Sequence, residues 1–257
     1  MHIMDSKKII LKSIEEIKLM YESAQLVSKT LGLLAKEIKP GINSLDLDKL
    51  AEEFIRDNGG IPGFLGMYDF PNTLCVSPNF EVVHGIPNKK PLENGDIVSI
   101  DCGVLKNGFY GDHAKTFFVG DVDSNVKKLV QITKESLEIG ISQAVIGNYV
   151  SDIGHAIQIH AEKNGFSVVR DLVGHGIGKS LHEEPQVPNY GLPKQGHEIK
   201  EGMCLAIEPM INLGNKEIKT DDDGWTIRTL DGKLSAHFEH TIAVTSDGPL
   251  VLSKAKA

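Results

Sequence analysis

Five residues of metal-ligand type stand in five separate strand-like or loop-like segments from residue 101 onward. They are Asp101 in Val-Ser-Ile-Asp-Cys-Gly, Asp112 in Phe-Tyr-Gly-Asp-His, His175 in Val-Gly-His-Gly-Ile-Gly, Glu208 in Ala-Ile-Glu-Pro-Met and Glu239 in Ala-His-Phe-Glu-His-Thr. Four carboxylates and an imidazole placed in a core are costly unless they are paired or bind metal. Together they fit two divalent cations that share bridging carboxylates. One imidazole among oxygen ligands points to Mn, Fe(II) or Co rather than to a thiolate zinc site.

A single Asp after a β-branched run is ordinarily a turn or cap residue, so the metal reading draws its weight from the joint pattern. Asp101 ends an apolar run (Ile97, Val98, Ile100) and Asp112 opens another (Ala114, Phe117, Phe118, Val119), with Lys106-Asn107-Gly108 between them as a hairpin turn. Two strands joined there bring Asp101 and Asp112 within a residue or two of directly opposite, the register being left open by the loop. Like charges that close raise each other's pKa and cost stability unless a cation lies between them.

These residues are carried by a coarse pattern of helix pair, strands, helix pair, strands, which suggests a duplicated α/β unit. Ser13 and Glu16 form a capping box, and Ile14, Ile17, Tyr21, Ala24 and Leu31 keep helical spacing up to the stop at Pro40-Gly41. A second helix begins near Ser44 and runs to Gly59-Gly60. Residues 73–119 read as strand and turn. Helices follow over about 124–145 and 151–163, the latter closed by Asn164-Gly165, and residues 167–250 are again strand and loop. No linker, low-complexity run or plain internal repeat divides the chain.

Composition fits a globular cytosolic enzyme: 257 residues, 40% hydrophobic and 24% charged. The three cysteines (Cys75, Cys102, Cys204) are sparse and form no CxxC pair, which suits a reducing compartment. Asp5, Lys7 and Lys8 interrupt any apolar core, so no signal peptide is read, and no apolar run reaches the length of a membrane span. The formal net charge of −8 argues against DNA or general nucleic-acid binding. Two bound divalent cations would bring it to about −4.

Several other motifs carry no such chemistry. His182-Glu183-Glu184-Pro185-Gln186 starts like a zinc-binding HExxH helix, but its fifth residue is Gln and Pro185 disfavours the helix. Gly174-x-Gly176-x-Gly178 is not a dinucleotide fingerprint. His155 and His160, five apart, do not share a helix face. Asp221-Asp222-Asp223-Gly224 lacks the spaced ligands of a calcium loop and reads as a solvated one.

Six segments in order do carry a resemblance. They are Glu81-Val82-Val83-His84-Gly85-Ile86-Pro87, Gly111-Asp112-His113-Ala114-Lys115-Thr116-Phe117, Gly174-His175-Gly176-Ile177-Gly178, Leu181-His182-Glu183-Glu184-Pro185, Ile207-Glu208-Pro209-Met210 and Glu239-His240-Thr241. With them the chain closely resembles a type I methionine aminopeptidase from about residue 10 to about residue 252. The resemblance implies a pita-bread α/β fold of pseudo-two-fold related halves, about 10–120 and 121–252, with antiparallel sheet covered by helices in a single catalytic unit over 1–257. It implies two divalent metal ions (Co, Mn or Fe(II), with Zn and Ni as alternatives), and removal of the initiator methionine from nascent chains in the cytoplasm. Asp101 and Asp112 would hold one metal, Asp112 and Glu239 would bridge, and His175 and Glu208 would complete the second site. Glu208 would also shuttle the water proton, while His84 and His182 would hydrogen-bond the substrate amide or the developing oxyanion.

By position the resemblance also implies a methionine pocket of Phe64, Met67, Phe70, Cys75, Leu181 and Trp225. The commoner bacterial pattern has Cys, Tyr, Tyr and Phe where this chain has Phe64, Met67, Phe70 and Leu181; the replacements remain apolar and keep a place for a linear thioether. A transient ribosome contact is implied, with Lys216, Lys219, Arg228 and Lys233 around Trp225 as candidate phosphate contacts, against the plainer reading of a mixed solvated surface. A monomer is expected. Competing readings are an Xaa-Pro peptidase of the same superfamily, whose members usually carry an extra N-terminal domain, a pseudoenzyme, which typically loses ligands, and a structural metalloprotein.

Overall fold

A computed structural model describes residues 8–255 of the chain. Asp5 and Lys7, on which the reading of the N-terminus partly rests, lie outside the described residues. Helix α1 (Ile14–Glu37) starts from the expected capping box: Glu16 N–H donates to Ser13 Oγ at 3.2 Å and Ser13 N–H to the Glu16 carboxylate at 3.0 Å. Helix α2 (Ser44–Asp57) is capped by Asn43, which accepts from Asp46 N–H at 3.0 Å. The apolar stripes of both helices close over the long hairpin Ile97–Lys106 and Phe109–Phe118, forming a core that includes Val27, Leu31, Leu47, Ile55, Ile100 and Val104. Gly111 permits this approach. A Cβ there would sit 2.5 Å from the backbone nitrogen of Ala24 in α1, so any larger residue beside Asp112 would push the helix off the strand.

The hairpin settles the register that the sequence left open. Lys106 pairs with Phe109, leaving a two-residue turn of Asn107 (φ 53°) and Gly108 (φ 78°). Two successive left-handed residues match the twist of the flanking strands.

Helices α3 (Ser124–Ser142) and α4 (Val150–Lys163) repeat the arrangement in the second half. The first of them ends three residues before the sequence expectation, because the Gln143 and Ala144 N–H groups turn back to Gly140 and Ile141. Gly165 (φ 88°) closes α4 as expected. These helices cover a core of Leu129, Leu137, Ile153, Ile157, Leu205, Ile207 and Ile242. Beneath it lies an antiparallel sheet in the spatial order Gly248–Val251, His240–Thr245, Cys204–Ile207, Gly174–Gly176, Glu183–Val187.

The halves are stitched together at the centre. Glu239 N–H donates to Ala114 O at 2.9 Å, and Tyr110 N–H to Gly178 O at 2.8 Å. Thr116 Oγ1 accepts from His237 N–H and donates to His237 O, each at 2.9 Å. Farther out, strand Glu81–Val83 from the first half pairs with Ile227–Thr229 from the second, which pairs in turn with Ile218–Thr220. Among the described residues no helix is long and apolar enough to cross a membrane.

Candidate active site

The two hairpin strands deliver the first two carboxylates. Asp101 lies opposite Ala114 and Asp112 opposite Gly103, so the aspartates are diagonal neighbours on one face of the sheet. Gly103 is required there, since a Cβ would stand 2.5 Å from the Phe64 ring. Thr241 locks Asp112 from the other half: its hydroxyl donates to Asp112 O at 2.7 Å and accepts from Asp112 N–H at 2.9 Å. His175 lies in the short strand Gly174–Gly176, opposite Ala206. Glu208 follows strand Cys204–Ile207, and Glu239 precedes strand His240–Thr245.

Spread over residues 101–239 of the sequence, the donors converge. One ligand atom each from Asp112, His175 and Glu239 lie within 4.8 Å of one another. Glu208 Oε1 is 3.5 Å from His175 Nε2, and Asp101 interacts with both Asp112 and Glu239. His84, His182 and all six expected pocket residues line the same cavity of about 510 Å³ as the five donors.

Electrostatics show what this cluster costs in the free protein. Burial pushes the Asp101 carboxyl up to about 6, and burial with neighbouring carboxylate charge raises Asp112, Glu208 and Glu239 well above the usual carboxylate range. Asp101 Oδ1 and Glu239 Oε1 are buried and have no hydrogen-bond partner. His175, lowered to about 4 by burial and by His182, is neutral at pH 7. Its Nδ1 lies 2.9 Å from Gly176 O; an N–H donated there leaves the Nε2 lone pair facing Glu208 and the cavity. Clustered carboxylates, orphaned oxygens and a neutral imidazole are a donor set suited to divalent cations.

Beside these donors the wall is apolar. Phe64, Phe70, Cys75 and Leu181 are buried, and Phe70 meets Trp225 edge-to-face with centroids 5.1 Å apart. Burial pushes the Cys75 thiol up, so it lines the pocket as a neutral group. The acidic loop is more than a solvated turn. Asp223 accepts from the N–H groups of Trp225 and Thr226, both at 2.8 Å, and so holds Trp225 over the pocket. Arg228 is tied to Asp221 at 2.6 Å. His84 sits in the left-handed region (φ 59°) at the turn after Glu81–Val83, a strained conformation for a non-glycine residue. Burial lowers His84 to about 4 and also lowers His182, so both imidazoles are neutral. The segment after His182 is strand, not helix.

Sequence reasoning missed three residues. Tyr68, 76% exposed, projects at the cavity mouth with its ring nearly parallel to that of His182. Thr241 is masked as an ordinary β-branched strand residue. His237 is 1% exposed, and its Nε2 is 3.7 Å from Glu208 Oε2. Its place two residues before Glu239 was the available signal.

Comparison with known proteins agrees with this geometry. The model of metallopeptidase family M24 matches residues 18–246. This chain belongs to metallopeptidase family M24. A methionine aminopeptidase of Clostridium perfringens is 51% identical over 248 residues, which cover 96% of this chain and all of the relative. The crystal structure of methionine aminopeptidase from Rickettsia prowazekii superposes with a TM-score of 0.95 at 42% identity, covering 96% of this chain and all of that one. That from Thermotoga maritima gives 0.95 at 43%, with the same coverage. The M24 chain described here therefore has the pita-bread fold and is a metal-dependent hydrolase, grouping with the methionine aminopeptidases.

Proposed function

We propose that this M24 peptidase is a methionine aminopeptidase that removes the initiator methionine from nascent polypeptides when the second residue is small. The observation that carries the reading is the meeting, in one cavity, of five metal donors, two neutral non-donor histidines and an apolar pocket. Asp101, Asp112, His175, Glu208 and Glu239 are the residues that would hold two divalent cations, with Mn, Fe(II) and Co favoured by the donor set over Zn or Ni. When bound, the metals supply a nucleophile at neutral pH and polarise the scissile carbonyl.

The chain's own residues do the rest. Phe64, Met67, Phe70, Cys75, Leu181 and Trp225 receive the methionine side chain, whose flexible thioether fits an irregular apolar wall. His84 and His182, neutral at pH 7, keep an N–H to donate toward the substrate amide or the oxygen on which charge develops. Glu208, a donor carboxylate within the same cavity, takes the nucleophile's proton and returns it to the leaving amine. The second residue's side chain lies where the two histidines close on the scissile bond, which favours Gly, Ala, Ser, Thr, Pro, Val or Cys there. We read residues 1–257 as one catalytic unit, monomeric and cytoplasmic, that meets its substrates at the ribosome.

The test is a three-peptide assay on metal-free protein to which Mn2+, Co2+ or Fe2+ is returned. Met-Ala-Ser should be cleaved, and Ala-Pro-Ala and a peptide lacking methionine should not. Preferential cleavage of Ala-Pro-Ala would replace this reading with an Xaa-Pro peptidase.

A further inference from the structure

Beside Glu208, and not among the residues that line the cavity, the strand Ser235–His237 places an imidazole that none of the roles above uses. His237 is 1% exposed, and its Nε2 has no hydrogen-bond partner. A buried polar atom left in this way costs about 1–3 kcal/mol, so a folded protein that keeps one ordinarily has a partner for it in another state. The backbone around it does not permit escape: His237 N–H and C=O are both bonded to Thr116 Oγ1, which is itself held by Ser99 at 2.8 Å, and His237 lies opposite Met210 in the sheet. The carboxylate of Glu208 lies between two imidazoles, 3.5 Å from His175 Nε2 through one oxygen and 3.7 Å from His237 Nε2 through the other. Both gaps are too long for hydrogen bonds and short enough to close by a small rotation of one side chain.

We propose that His237 is a positioning residue for Glu208: its Nε2–H donates to Glu208 Oε2 in the metal-loaded protein and fixes the carboxylate plane. The idea rests on the reading of Glu208 as a metal donor and proton carrier. The chemical logic is the usual one for a ligating carboxylate, which needs a hydrogen bond on its outer oxygen to hold one orientation. Glu208 follows the end of its strand rather than lying within it, so a bond from outside that strand helps to hold its carboxylate in one orientation. His237 lies in a strand that pairs with Met210–Asn212 and is also held by Thr116 of the opposite half, so its imidazole is fixed beside Glu208 from two sides.

The experiment compares wild type, His237→Leu, His237→Gln and Glu208→Gln. Each is assayed on Met-Ala-Ser and titrated with Mn2+ alone by calorimetry. In His237→Leu, kcat falls on the order of 10–100-fold, with a loss of Mn2+ affinity no larger than that and an unchanged KM. In His237→Gln, whose amide N–H can replace the imidazole donor, most of the activity returns; a purely structural role would not be rescued in this way, and a fall confined to KM would also contradict the proposal. If His237→Leu is as active as wild type while Glu208→Gln is inactive, the positioning role is wrong and the function stands. If His237→Leu loses a whole Mn2+ equivalent and Gln restores nothing, His237 is itself a metal donor and the proposal is overturned. An active Glu208→Gln would remove the reading of Glu208 on which the proposal depends.

Discussion

Replacing Asp101 by Asn should make the metal-free protein more stable at pH 8, the reverse of the usual effect of altering a buried functional residue. Asp101 is buried among carboxylates, and its carboxyl is pushed from 3.8 up to about 6. A raised carboxyl contributes its full share to stability below its unfolded value and loses it as pH rises through the folded value. A shift of about two units amounts to about 3 kcal/mol of destabilisation at pH 8, a large part of the roughly 5–15 kcal/mol of a typical domain. Asn removes the charge, keeps an oxygen for the Cys102 N–H that Asp101 accepts, and offers an amide to Asp112 or Glu239. Denaturant unfolding in chelator should therefore favour the variant by up to about 3 kcal/mol at pH 8, the gap narrowing towards pH 4. Losing the Asp101 charge also relieves Asp112, Glu208 and Glu239, whose carboxyls it raises, and this acts in the same direction. With excess Mn2+ the order should invert, because saturation at a thousand times Kd adds about 4 kcal/mol to the wild type and less to a protein short of one donor. A variant less stable than wild type in chelator at pH 8, or a gap that does not change with pH, would refute the electrostatic account of this cluster.

Other perturbations separate the roles. His84→Ala and His182→Ala should keep near-normal metal content while kcat/KM falls on the order of 10²–10³-fold; a large metal loss in elemental analysis would make that histidine a donor. Among Met-Ala-Ser, Met-Lys-Ser, Leu-Ala-Ser and norleucine-Ala-Ser, the first and last should be cleaved well. Met-Lys-Ser should lag on the order of 10²-fold, because about 1 Å of misplacement at the scissile bond costs that much. Rapid cleavage of Met-Lys-Ser would end the small-second-residue rule, and leucine turning over like methionine would end the assignment of the pocket. Thr241→Val should lower unfolding stability by about 1–3 kcal/mol for each Asp112 backbone group left unpaired, and an unchanged denaturation midpoint would show that Asp112 is held by other means.

The parts of this site legible in the sequence are those written in local chemistry. The Ser13 capping box and the hairpin turn at Asn107-Gly108 depend on residues a few positions apart and were readable in the sequence, whereas the diagonal register of Asp101 and Asp112 needed the loop type, which the letters left open. The Thr241 clamp on Asp112 and the pairing of Glu81–Val83 with Ile227–Thr229 join segments more than a hundred residues apart, and His237 meets Glu208 across 29 residues. Three-residue strands are too short to show alternation, so nothing local marks them. Asp223 is exposed, as a solvated loop implies, and its bonds are local. Its work is done on Trp225 and Thr226, and the importance of that loop lies in the cavity that Trp225 walls.

The chain order of the five donors has a consequence for how the enzyme comes into being. Asp101 and Asp112 are synthesised early, but His175, Glu208 and Glu239 arrive with the second half, and the Thr241 that secures Asp112 follows even Glu239. A partly translated chain thus carries the two neighbouring aspartates with neither the imidazole nor the glutamates proposed to complete a cation's coordination. On the proposed donor set, the site is complete only when the segments through Thr241 are present, so a chain cut before them should lose Mn2+ binding together with the Asp112 clamp.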